Sequence, residues 1–212
     1  LVAVTWAAAE NRSPAHMPSG RSPELRRALA LTESLMAEEP SMVDIARDPR
    51  WGRIVEGAGE DAYLGSVVAA AQVHGFQGAY IGAPGAILAG PKHFAGYGAA
   101  LGGRDYDEVD LSDTEFWNVY VPPFAAAIEA GAATVMSAYM DLNGVPATAN
   151  RWLLTSVLRD TLGFKGFVVS DANAVKDLVT HHFAVDTADA ASRALNAGLD
   201  MEMAISEPAF HK

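Results

Sequence analysis

Cysteine is absent from this 212-residue chain, which excludes disulfide and thiol chemistry. The compartment stays open, since exported proteins can also lack cysteine. No run approaches the roughly 18–20 apolar residues that a membrane-spanning helix needs, so no membrane partner is expected. No basic segment leads into an apolar stretch and a cleavage site, so no export signal is visible. Basic residues are scarce: 15 Lys and Arg stand against 26 Asp and Glu, for a net charge of −11. That balance argues against a nucleic-acid partner, which calls for a basic footprint. There is no Walker-type or GxGxxG fingerprint for a nucleotide, and no HExxH or comparable spacing for a metal. No cofactor is expected. What the chain does have is a composition that is 50% hydrophobic, enough to build one sizeable core.

Strand-like and helix-like stretches alternate along the chain, which predicts a parallel α/β architecture. Strands are expected at residues 1–6, 41–46, 86–89, 134–139, 167–169 and 199–203. Helices are expected at 62–76, ended near Gly78, at 152–162 with Gly163 behind it, and at 187–197, stopped by Gly198. Ser112 and Glu115 form a capping-box pattern, but Pro122 and Pro123 predict a break in any continuous helix there. Pro123 suits the first turn of a helix running to Ala130 and closed by Gly131. Successive strand–helix units of this kind predict a (β/α)8 TIM-type barrel. Such barrels typically need about 250 residues, so an incomplete barrel, short by one or two units, is expected. Residues 11–40 fit least well: two Ser-Pro steps precede a helix-like run over 23–37, with no apolar strand before Ser41.

The most informative stretch is FVVSDANAV, which puts the carboxylate of Asp171 at the far end of a short apolar strand. In a barrel of alternating strands and helices, that rim is where active sites are built. Asp171 could equally cap the following helix. Three other polar clusters fall on the carboxyl side of expected strands. RDPRWGR offers Trp51, able to stack on a sugar or base, and Arg53, a fixed fork of donors; a solvated loop tied by Arg–carboxylate pairs is the alternative. Lys92 and His93 could grip hydroxyl groups, form a Schiff base, or bind phosphate, and a structural histidine is the ordinary reading. Tyr139 could support a nearby nucleophile or merely cover the core. In a closed barrel these residues share one rim, and donors around one carboxylate suit a neutral polyhydroxylated ligand.

The motifs VDIARDPRWGRIVEGAGEDAYLG, KHFAGYGAALGGRDYD, VMSAYMDLNGVPATAN and LRDTLGFKGFVVSDANAV, in this order over residues 41–203, resemble glycoside hydrolase family three. More narrowly, they are similar to its bacterial, periplasmic-type β-glucosidase branch. The resemblance implies that residues 1–212 are part of the family's N-terminal barrel domain, with 41–203 as the motif-bearing core and 1–40 a divergent or damaged segment. It implies a retaining, exo-acting hydrolase of terminal β-D-glucosyl residues, periplasmic or extracellular, whose partner is a small saccharide. By motif, Asp171 matches the nucleophile, Lys92 and His93 the sugar-binding pair, Arg53 the second arginine of its element, and Tyr139 a tyrosine accompanying the nucleophile. Retention also requires a second carboxyl group about 5–5.5 Å away, which this branch is expected to supply from a later, C-terminal domain absent here. A further sugar-binding Asp is expected upstream of Leu1.

Tyr97 stands where the N-acetylglucosaminidase branch carries its acid/base His, which disfavours that branch. Ala172 follows the nucleophile where many members have an aromatic residue. β-Xylosidase or β-N-acetylhexosaminidase action, a sugar-binding remnant without catalysis, and a Lys92-dependent aldolase are the competing readings.

Overall fold

A computed structural model describes residues 42–82, 84–205 and 207–211. In it, five extended segments lie side by side and parallel, in the order in which the chain makes them. The first, 42–46, joins the second, 89–94, through the Val43 N–H donating to the Lys92 carbonyl at 2.9 Å. The second meets β1 (Thr134–Met136): the Thr134 N–H donates to Ala89 at 3.2 Å, and the Phe94 N–H to Met136 at 2.8 Å. After β1 the chain makes a small antiparallel hairpin, β2 (Asp141–Leu142) and β3 (Val145–Pro146). It then returns as β4 (Phe167–Val169), in parallel register with β1. The fifth segment, 200–203, lies on β4, with the Ser170 N–H donating to Met201 at 2.9 Å.

Of these five parallel segments, β1 and β4 are the pair that forms a regular ladder. The expected strand at 86–89 lies too early: Ile87 and Leu88 are exposed, and pairing starts at Ala89. Pro91, which has no N–H to give, limits that segment to scattered bonds. The expected strands 1–6 and the helix-like run 23–37 lie outside the described residues.

A helix follows each of the first four segments. α1 (Ala62–Gln77) ends at Gly78 as the sequence predicts, and Asp61 caps it by accepting the Leu64 N–H at 2.7 Å. Its last residue, Gln77, is buried and ties two strand starts together: its Oε1 accepts from the Ala89 and Ala133 amides at 3.1 and 3.0 Å. The Ser112–Glu115 capping box forms, and the helical run is interrupted at Val121, just ahead of Pro122 and Pro123. A wide π turn over Phe116–Tyr120, closed by the Val121 N–H on the Phe116 carbonyl at 3.0 Å, carries the chain into α2 (Pro122–Glu129). Both prolines then occupy opening positions of α2, where no backbone donor is needed. The 152–162 helix is also π-wound over Trp152–Thr161, and buries Leu153, Leu154, Val157 and Leu158. α3 (Ala174–Thr180) and α4 (Thr187–Ala197) follow β4. Gly198, at φ +112°, ends α4 in a left-handed turn that a side chain would disfavour.

The apolar layer between sheet and helices includes Val135, Val168, Phe94 and Phe124, all buried. No helix among the described residues is long and apolar enough to cross a membrane. The approach to β4 is tight. A Cβ on Gly166 would lie 2.0 Å from the Ala133 carbonyl oxygen, a backbone atom that cannot swing away. Gly166→Ala is therefore expected to destabilise the protein by about 3 kcal/mol, read as a lowered urea midpoint; an unchanged midpoint would mean that the β1–β4 junction is looser than this packing.

Candidate active site

The carboxyl ends of the parallel segments bring the chemistry together. β4 runs out through the fully buried Ser170 to Asp171, whose side chain is 12% exposed. Asp171 does not cap the helix behind it. The N-cap position of α3 is Asn173, in a left-handed conformation at φ +61°, and the Asp171 Oδ1 accepts instead from its own neighbour, the Ala172 N–H, at 2.7 Å. That bond fixes the carboxylate so that Oδ2 faces His93 Nε2 at 3.2 Å.

His93, 1% exposed, comes from the second segment and is held from the first. Asp44 Oδ2 accepts both the His93 backbone N–H at 2.9 Å and a contact from ring Nδ1 at 2.8 Å. The ring therefore has one carboxylate at each nitrogen, and it can donate to both when it carries two protons. Asp44, His93 and Asp171 thus form a line across three of the parallel segments.

Arg53 closes one side. Its Nη1 is 3.4 Å from His93 Nε2, and its guanidinium lies 5.6 Å from the centre of the Tyr97 ring. Its other two nitrogens clasp Glu56 with two 2.8 Å bonds. That fork raises the already high pKa of Arg53 and lowers that of Glu56, leaving Arg53 a fixed cation. Half-buried Lys92 adds its positive charge to the field at the same Glu56. Tyr139 also reaches Asp171. Burial first, and then the charge of Asp171 with a hydrogen bond to it, push the Tyr139 hydroxyl up, so it stays a donor. His93 and Tyr139 thus meet at the Asp171 carboxylate, with Arg53 against His93 and Lys92 acting on Glu56 behind Arg53. No group of three or more His, Asp or Glu side chains that could hold a metal occurs among the described residues.

Trp51 plays a different part from the expected one. It is 1% exposed, and its indole N–H donates to Asp105 at 2.9 Å, so it anchors a loop and has no free face for a ligand. The reading of RDPRWGR as a loop tied by ion pairs holds for Arg50, which is well exposed and holds Asp48 down to about 2 by hydrogen bonding. Sequence reasoning missed Asp44 and the central role of Tyr97. A lone carboxylate in the otherwise apolar run Met42–Ala46 was the available signal, because a buried charge needs a partner. Tyr97 is buried, 5.0 Å from the His93 ring and 5.3 Å from Trp51.

Beside the site, His181 Nδ1 meets Asp141 Oδ1 at 2.6 Å, joining the end of α3 to the β2–β3 hairpin. This bond raises the His181 pKa, with Asp177 adding to the effect. A histidine raised on folding contributes stability that is full below its unfolded value, about 6.5, and is lost as pH rises through the folded value. Asp141→Asn is expected to flatten the fall in stability above pH 6.5. Identical pH–stability curves for the two proteins would show that the pair contributes nothing.

Residues 38–211 match the model of the glycosyl hydrolase family 3 N-terminal domain. A periplasmic β-glucosidase of Salmonella typhimurium is 49% identical over 163 residues, 77% of this chain and 21% of its own length. A β-xylosidase of Formosa agariphila is 42% identical over 185 residues, 85% of this chain and 25% of its own. Among solved structures, a β-glucosidase from Listeria innocua in complex with glucose superposes with a TM-score of 0.78 at 40% identity, covering 81% of this chain and 24% of that one. The chain therefore spans about a quarter or less of the length of these relatives.

Proposed function

This chain belongs to glycosyl hydrolase family 3, and on that premise we propose that it carries the nucleophile half of a retaining β-glycosidase site, of the β-glucosidase type. One observation supports the reading above all: a nearly buried carboxylate, Asp171, is fixed through one oxygen by the Ala172 amide and faces the Asp44-held His93 with the other. Asp171 attacks the anomeric carbon as a carboxylate, and the bond to the leaving oxygen breaks as the ester to Asp171 forms. Water then attacks the same carbon and releases Asp171, so two inversions give net retention. Arg53, Lys92 and His93 hold the sugar hydroxyls, with Arg53 kept charged by Glu56, while the Tyr139 hydroxyl steadies the nucleophile. The second carboxyl group, which protonates the leaving oxygen and later takes the proton from water, comes from the remainder of the enzyme. The five parallel segments among the described residues are an arc of a (β/α)8 barrel.

Glucosidase is preferred over xylosidase because the 49% identical relative is a β-glucosidase, whereas the β-xylosidase relative is 42% identical. The periplasmic name of the former supports a periplasmic or extracellular site of action. The test is proton NMR of the anomeric signal during hydrolysis of an aryl β-glucoside. β-Glucose is expected as the first product, with aryl β-xyloside turned over more slowly; α-glucose appearing first would overturn the retaining mechanism, and faster xyloside turnover would reassign the sugar.

A further inference from the structure

Three tyrosine rings lead from the interior of the site to its rim. Tyr97 is fully buried against His93, Tyr139 is half-buried beside Asp171, and Tyr106 is 60% exposed. The rings touch in sequence: Tyr106 meets Tyr139 edge-on at 5.1 Å, and both lie within 6.4 Å of Tyr97. Tyr106 is also held in an unusual way. It sits at φ +65°, a left-handed conformation that bulky residues rarely adopt. Its neighbours Gly102 and Gly103 take the same conformation at φ +66° and +67° with glycine, the residue that adopts it freely. The loop is pinned on both sides. Asp105 accepts from the buried Trp51 indole at 2.9 Å, and Asp107 folds back on Arg104, 3.2 Å from its Nε. A strained, exposed aromatic ring on an anchored turn is a pattern found where a ligand is bound.

We propose that Tyr106 is a specificity-determining platform on the leaving-group side of the site, stacking on the second sugar or other ring of the substrate. This rests on the β-glycosidase reading above. The order of the rings decides the side. The sugar that is cleaved lies against His93, Arg53 and Asp171; Tyr97 packs on His93 and Tyr139 bonds to Asp171, whereas Tyr106 packs on those two rings from beyond them, so it meets the portion of the substrate farther from the nucleophile. Sugar rings present a C–H face that packs on aromatic surfaces, and the ring-face contact of Tyr106 needs no charge and no partner hydroxyl.

The test compares two donors in the full-length protein: a β-linked glucose disaccharide, which reaches the rim, and β-glucosyl fluoride, which does not. In Tyr106→Ala, kcat/KM for the disaccharide is expected to fall about tenfold further than for the fluoride, the size of one lost aromatic contact. Tyr106→Phe, which keeps the ring, is expected to restore the wild-type ratio. Tyr106→Gly fits φ +65° without strain, so its thermal midpoint should not fall while its disaccharide ratio drops as for alanine. Equal losses for both donors would overturn the proposal and assign Tyr106 to the support of Tyr139, and no loss for either would also overturn it. Failure of the wild-type protein to process β-glucosyl fluoride at all would instead strike at the glycosidase reading itself.

Discussion

Replacing Asp171 with Asn is expected to lower kcat/KM on aryl β-glucosides by about 10⁴-fold or more, with the fold intact. Asparagine keeps the shape and can still accept the Ala172 N–H through its amide oxygen, the bond that aligns the side chain at 2.7 Å in the wild type. It cannot form the ester with the anomeric carbon, so the route through the covalent intermediate is closed rather than slowed. Asp171→Gly goes further by opening space where the carboxylate stood. Added azide is then expected to attack the anomeric carbon of an activated β-glucoside from that side and yield the α-glucosyl azide. Retention of more than about a tenth of wild-type activity in Asp171→Asn would place the nucleophile elsewhere.

The second large effect belongs to Asp44. Its side chain is 0% exposed and accepts two contacts from His93, itself 1% exposed. Asp44→Ala removes the acceptor for the Nδ1 and backbone N–H of a buried ring and leaves His93 facing Asp171 alone. A loss of about 3 kcal/mol in stability is expected, the cost of leaving two buried donors without their acceptor. Asp44→Asn retains an acceptor oxygen and should fold, yet its activity is expected to fall about 10²-fold, because a small displacement of a group facing the nucleophile is enough for that. Chemical denaturation measures the first effect, and kcat of the folded Asn variant measures the second. Wild-type kcat in a stably folded Asp44→Asn protein would show that His93 needs no alignment from behind.

The sequence revealed the helices with strong caps most plainly. α4 spans the predicted residues 187–197 and stops at Gly198, and Gly78 closes α1 where expected. The π turn over Phe116–Tyr120 was hidden, because two prolines in a row signal a break, and only the packed structure shows a widened turn delivering them to positions that need no donor. The strands were the least legible. Five short parallel segments share few regular bonds, and the second begins at Ala89, after two exposed residues whose composition alone suggests a strand.

The position of the candidate site was legible for a topological reason. Residues just beyond successive parallel strands converge on one rim, so Arg53, Lys92, His93, Tyr139 and Asp171 could be placed together before any contact was known. What stayed illegible was the second rank of contacts. Asp44 lies 49 residues from His93 in sequence, and Trp51 is drawn into the core by Asp105, 54 residues away. Such long-range pairs leave no local pattern beyond a lone polar residue in an apolar run.

The central claim, that Asp171 is the atom-bonding nucleophile, is tested most directly by intact-mass spectrometry. The protein is incubated with a 2-deoxy-2-fluoro-β-glucoside carrying a dinitrophenyl leaving group, which departs without an acid's help. The label is then located by peptide mapping. A mass increase of one fluoroglucosyl unit on the peptide containing Asp171, absent in Asp171→Asn, is the predicted result. A label on another residue, or none on protein that is folded by circular dichroism, would contradict it.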